Sequence, residues 1–374
     1  MGAATMQPAV KIALLGDIIL DAPDPDRWLS GVAKALKEAD LVIGHLEVPH
    51  TKTQKEVAGD VPAPGAPPEH LEALARAGVD AVTLAGNHIA DCGETGIADT
   101  IAKLEEVGIA YTGAGATIND ARRPAILQTK GFRAALLSYN CVGPEFSWAG
   151  PGKAGCAYLR IEPEDGSTIA PAAQLSRITQ DAVDTLKRDV ADARKEAEFV
   201  IVALHKGLVH TPATLAPYER GIAAHCVEAG ADLVIGHHAH IVQAIEFIGD
   251  TPVFHGLGNG CVVTEALSPD QNHPQRAAWA RRRKELFGFE PDPAYRLAPF
   301  HPEAVNAMIG EVVWRPGERL QAGFIPVHVE SPGRPVLAQG EQAEMVAAYI
   351  GRITSASGLP PLTMQFVDGR VNVR

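Results

Sequence analysis

The sequence predicts an α/β protein built in layers, and three observations carry that expectation. Helical patterns alternate with short strand-like runs, those runs are almost wholly apolar, and side chains of metal-ligand type gather just past their ends. The alternation recurs in VAKALKEADLVIGHLE ending at Glu47, LEALARAGVDAVTLAGNH ending at His88, VADARKEAEFVIVALHKG ending at Gly207, and IAAHCVEAGADLVIGHHAH ending at His240. Runs such as Leu41 to Ile43, Val200 to Leu204 and Leu233 to Ile235 show no polar alternation, so helices are expected to cover both faces of the sheet. The first strand, KIALLGDIIL, has the same character and reaches Asp17. In layered α/β folds the ligand crevice lies beyond the carboxyl ends of strands, which is where these polar clusters fall.

With 374 residues, the chain is long enough for one large domain with an appendage or for two domains. Its 33 Lys and Arg against 45 Asp and Glu give a formal charge of -12, which repels nucleic acid and anionic membrane. No run approaches the roughly 18 apolar residues of an integral membrane segment, and MGAATMQPAVKIALLGD lacks a basic then apolar leader pattern. The expected location is therefore the cytoplasm and the expected partner a small-molecule substrate, with self-association left open. Five cysteines, scattered without C-x-x-C spacing, argue against a disulfide framework and a thiolate zinc site.

Periodicity breaks down between about 141 and 180, a Gly- and Pro-rich stretch with the character of a binding loop or lid. A second irregular stretch, 268–302, carries Arg276, Arg281, Arg282, Arg283 and Lys284 around Trp279. It reads either as a solvated helix face or as a patch for an anionic substrate. Strand patterning returns in EVVWRP and GFIPVHVE, and a helix is expected near Glu341 to Ile353.

The groups at the strand ends are Asp17, Glu47, Asn87 with His88, His205, and His238 with His240. Carboxylate, amide and imidazole together are the donor mixture preferred by zinc, manganese or iron over magnesium or calcium. Each member alone has an ordinary reading: Glu47 as a surface acid, Asn87 as a turn or cap, a lone histidine as a structural one. Their joint placement points to one or two divalent metal ions.

The succession GD at Gly16, HLE at His45, GNHIADCGETG at Gly86, GAG at Gly113, HKG at His205, GHHAHIVQ at Gly236 and HGLGN at His255 resembles the CapA/PgsA family of poly-gamma-glutamate capsule synthesis proteins. That family is similar to the calcineurin-like metallophosphoesterases. The resemblance implies a four-layer, metallophosphatase-like αββα sandwich of two mixed sheets flanked by helices. Residues 1–267 would form the catalytic core, with the insertion at about 141–180, and residues 268–374 would complete the same domain.

The resemblance also implies roles. Asp17, Glu47, Asn87, His205, His238 and His240 match metal ligands, with Glu47 in the bridging place. His88 matches a histidine that protonates the leaving group. Asp91 either orients His88 or caps the helix that begins near Glu94. If the segment is extended, His238 and His240 point the same way and His237 turns toward the sheet. Two positions depart from the pattern: Ile19 stands where metallophosphoesterases carry a histidine, and His45 stands where the family has asparagine. His45, His237 and Lys206 are candidates for substrate contact or for support of the ligands.

The chemistry implied is hydrolysis of a small, anionic phosphoester, amide or lactam by water that the ion activates. No G-x-S-x-G elbow, Walker A motif or dinucleotide fingerprint offers a competing mechanism. Capsule biosynthesis with membrane partners, a metal-assisted lyase, and a binding protein without turnover are the other readings that stay open.

Overall fold

The computed structural model describes residues 8–53, 55–57, 61 and 64–374. The N-terminal seven residues, part of the leader argument above, lie outside them. Two sheets face each other. The ten-stranded sheet has a main path of eight strands, in spatial order Ala110–Thr112, Ala81–Thr83, Leu41–Leu46, Val10–Leu20, Asn306–Trp314, Gln321–Glu330, Arg370–Val373 and Met364–Val367, with Asn259–Val263 paired to Val10–Leu20 and Arg334–Leu337 to Gln321–Glu330 off that path. Its first four strands are parallel, whereas Asn306–Trp314 joins Val10–Leu20 antiparallel. The six-stranded sheet runs Ile245–Ile248, Thr251–Phe254, Leu233–His237, Phe199–His205, Phe132–Asn140 and Ala125–Thr129. Its four central strands are parallel and its two edge strands antiparallel.

Side-chain parity sorts the core into layers. Ile12, Leu14, Leu41, Ile43, Leu136, Ile201, Ala203 and Ile235 form one buried cluster, which fills the space between the sheets. Their sequence neighbours Ala13, Val42, Leu137, Val202 and Val234 belong to the other main cluster, with helix residues such as Leu74, Leu104, Leu186 and Ile222. Helices thus cover the outer faces while the sheets pack on each other, giving the four-layer sandwich. The helix Gly340–Ala356 is the exception. Its Val346, Ile350 and Ile353 enter the inter-sheet core, and the Thr354 hydroxyl lies 3.3 Å from the Ile245 amide that donates to it.

The polar row at the strand ends is a continuation of this parity. His45 follows Leu41 and Ile43 on the inner face; His205 follows Ile201 and Ala203; His237 follows Leu233 and Ile235. Asp17 needs one more device. On the Val10–Leu20 strand the inner residues are even-numbered up to Leu14, and Ile18 and Leu20 are in the outer cluster. Irregular register between Leu14 and Ile18 reverses the parity and turns Asp17 inward. At the same point the strand exchanges its neighbour Asn306–Trp314 for Asn259–Val263. Gly16 allows the close approach: a Cβ there would lie 1.9 Å from the Gly258 carbonyl oxygen.

Candidate metal centre

Asp17 is paired in register with His45 and with Asn259, and His205 with His237. Two rows of polar groups therefore meet across the gap between the sheets. Two sets of ligand atoms lie within 4.8 Å of one another, Asp17 with His45 and His205, and Asp17 with Glu47 and His240. Asp17 belongs to both sets and Glu47 to one.

His238 and His240 reach the same cluster by a route other than strand alternation. The strand ends at His237, and both residues have left-handed backbone, φ 93° at His238 and 53° at His240. The His238 amide donates to both Asp17 carboxylate oxygens at 3.3 Å, and its Nδ1 lies 3.1 Å from His205 Nε2. Asn87 Oδ1 is 2.7 Å from that same nitrogen. His240 Nε2 is 3.1 Å from Glu47 Oε1, while its Nδ1 faces Asn259 Oδ1 at 3.0 Å. Left-handed backbone at a residue bearing a Cβ is costly, and here it aims two imidazoles into one crevice.

Several donor atoms in the cluster have no well-directed hydrogen-bond partner: both Glu47 carboxylate oxygens, His45 Nε2, His205 Nδ1 and His238 Nε2. Burial without a partner costs free energy, so such a concentration of orphaned donors marks a place for a ligand. Desolvation holds His45 at about 4 and His238 at about 3, and pushes His205 well down as well. These imidazoles are neutral near pH 7, the form that ligates metal. Burial, followed by the Glu47 charge, raises Asp17 to about 8. Burial opposes the ionised form of Glu47 too, but His240 overcomes it and brings Glu47 to about 2. His240 rises to about 9 because Glu47 and Asp17 outweigh its own desolvation. The donor set fits a divalent cation, whose charge would favour ionised carboxylates on all sides.

His88 and Asp91 stand beside this cluster. His88 Nδ1 is 2.7 Å from Asp91 Oδ2, and both side chains are buried. Of the two uses of Asp91 considered above, the structure has the pairing with His88: the helix Gly93–Val107 is preceded by Cys92, with no side-chain cap.

Residues 11–262 match the model of a family described as bacterial capsule synthesis protein PGA_cap. The chain belongs to that family. The capsule biosynthesis protein CapA of Bacillus anthracis is 29% identical over 261 residues, covering 67% of this chain and 59% of the relative. The PGA biosynthesis protein CapA of Bacillus subtilis is 25% identical over 261 residues, covering 67% and 62%. The chain thus spans about six-tenths of the length of these relatives. Among solved structures, a calcineurin-like phosphoesterase, YfkN of Bacillus subtilis, aligns with TM-score 0.38 at 11% identity over 93% of this chain and 97% of that one. The NAD nucleotidase of Haemophilus influenzae aligns with TM-score 0.41 at 11% identity over 91% and 62%.

The structure narrows two readings that the sequence leaves open. Lys206 is not a counter-charge for substrate, because it is fully buried and its Nζ donates to Glu219 Oε2 at 2.5 Å and to the His255 carbonyl at 3.1 Å. Of the two readings of the Arg-rich stretch, the structure has the solvated one for most of its basic residues, which are paired individually. Arg281 donates to the Pro269 carbonyl, Arg282 pairs with Glu285, Lys284 with Glu290 and Arg276 with Glu56. Arg283 alone among them is buried in the wall of the cavity over the cluster. His237 faces the gap between the sheets, its Nε2 3.4 Å from the Leu15 carbonyl and its ring stacked on His45 at 4.8 Å. His45 itself, Nδ1 2.9 Å from Thr83 Oγ1, turns its orphaned Nε2 toward the cluster rather than resting on the sheet edge.

The cavity, of about 290 Å³, has Glu47, Asn87, His88, His238 and His240 on its floor. Both irregular stretches wall it, the first through Pro171 and Ala172, the second through Trp279, Arg283, Leu286, Phe287 and Phe300. Ile19 also lines it, so the position that lacks the expected histidine contributes apolar surface. Sequence reasoning missed His210, buried with φ 55° and with its ring 5.8 Å from that of His240. Its only signal was the short spacing from His205 in HKGLVH.

Proposed function

We propose that the protein is a metal-dependent hydrolase acting on a small, anionic phosphoester, amide or lactam substrate. Asp17, Glu47, Asn87, His205, His238 and His240 would hold one or two divalent ions of manganese, zinc or iron, with His45 as a further ligand. The observation that carries this reading is the set of buried imidazole and carboxylate atoms without a well-directed hydrogen-bond partner, gathered beneath a cavity of substrate size. A divalent ion bound there lowers the pKa of water and polarises the bond under attack.

The chain's own groups do the rest. Asp91 accepts a hydrogen bond from His88 Nδ1, which orients the ring so that its other nitrogen can deliver a proton to the leaving group. Asn259 sets the orientation of His240 through Nδ1, and His237 buttresses His45 by stacking. Apolar residues Ile19, Trp279, Phe287 and Phe300 line the cavity, and a ligand seated against them would displace water and strengthen the charge interactions beneath it.

The test is elemental analysis of the purified protein and of His238→Ala, followed by assays with para-nitrophenyl phosphate, bis(para-nitrophenyl) phosphate and a para-nitroanilide. Bound metal that falls in the variant, with metal-dependent turnover of one probe, is the expected result. Absence of metal even after reconstitution would sink the hydrolase. A second reading draws on the names of the curated relatives: a capsule biosynthesis component that acts with membrane partners. Bound metal without turnover until membranes carrying such partners are added would favour it. No helix among the described residues is long and apolar enough to cross a membrane.

A further inference from the structure

Arg283 is 2% exposed, yet among the described residues no carboxylate pairs with it. Its Nε and Nη1 lack any hydrogen-bond partner. Its neighbours are aromatic instead: the guanidinium carbon lies 5.2 Å from the Trp279 ring centre and 5.8 Å from that of Phe300. A buried unpaired cation is expensive, and cation–π contacts recover only part of the cost. Desolvation alone brings this arginine down to about 9. Other basic residues of the same stretch spend their charge on acids or carbonyls at the surface, and Arg283 lies beyond residue 262, where the match to the family model ends.

We propose that Arg283 is the anchor for a single carboxylate on an otherwise apolar substrate. A guanidinium presents parallel N–H donors that match a carboxylate in two-point contact, and the pairing gains strength where water is excluded. One cation in an apolar wall balances one negative charge, whereas a phosphate dianion would keep an uncompensated charge there. The apolar body of the ligand would rest on Trp279, Phe287 and Ile19, over the donor cluster. The proposal rests on the hydrolase reading only in calling the ligand a substrate; the binding itself is independent of it.

The test compares phenylacetate with phenylacetamide, which share shape and differ in charge, by titration calorimetry. The full-length protein is used as purified and after treatment with chelator, beside Arg283→Met and Arg283→Lys. Phenylacetate is expected to bind the wild type at least about tenfold more tightly than the amide, with and without metal. Arg283→Met should remove the preference, and Arg283→Lys should restore part of it. Metal content should be unchanged in both variants, and the thermal midpoint of Arg283→Met should equal or exceed that of the wild type, since an unpaired buried charge has been replaced by an apolar chain. Equal affinity for the two probes, no binding of phenylacetate at millimolar concentration, or a preference that survives Arg283→Met overturns the proposal. A preference that disappears on chelation belongs to the metal and overturns it also. Wild-type protein that binds no metal but keeps an Arg283-dependent preference would refute the hydrolase and leave the anion anchor standing.

Discussion

The floor and the wall of the cavity are built on opposite principles. The floor is a cluster of polar groups at and just beyond the strand ends of two facing sheets: strand parity aims His45 and His205, a register irregularity turns Asp17 inward, and left-handed backbone aims His238 and His240. The wall comes from two short helices, Pro274–Arg281 and Arg283–Phe287, and from Phe300, whose places depend on aromatic packing. The contrast teaches that the floor can specify a type of chemistry while the wall selects what undergoes it. The wall's aromatic side chains and Arg283 lie outside the strands.

The largest effect is expected at the centre of the floor. Asp17→Asn removes the carboxylate common to both donor groups, and metal content should fall to near zero. Activity on the responsive probe should drop by more than about 100-fold, beyond what loss of a supporting residue causes. Elemental analysis with a rate measurement checks this; retention of metal would break the assignment of Asp17 to both groups. Next comes His88→Ala, which should leave the metal in place and lower the rate by about 100-fold or more. Reduced metal in that variant would make His88 part of the donor set instead of a proton donor.

The wall should respond in a different quantity. Phe300→Ala deletes a buried ring that touches Arg283 and His240, and is expected to cost up to about 3 kcal/mol of stability. Metal content should not change, which denaturant unfolding and elemental analysis together would establish. Loss of metal in Phe300→Ala would mean that floor and wall are one cooperative unit, and the comparison drawn here would fail.

Much of this molecule can be read from residue order. Alternating helix and apolar strand gives the layered α/β class, because a sheet without polar residues must be covered on both faces. The motif succession gives the family, and the donor types give the expectation of a borderline divalent ion. Even His45 had a visible signal, since it shares parity with Leu41 and Ile43 and so continues an inward-facing row. Other features were beyond that reasoning. The inward turn of Asp17 depends on a register irregularity opposite Gly258, and no periodicity announces a bulge. His238 and His240 share a crevice through left-handed backbone, a conformation paid for by tertiary contacts rather than by local preference.

Sequence by itself therefore determined the layers, the family and the chemical character of the donors, because hydrophobic periodicity and donor type are local properties. Only the tertiary structure decided which charges are consumed and which are left over. Lys206 and Arg283 are both basic residues in irregular surroundings, yet one is neutralised by Glu219, thirteen residues away, and the other faces a cavity with no carboxylate paired to it among the described residues. Pairing between distant groups depends on where the chain returns, and that is a property of the packed molecule alone.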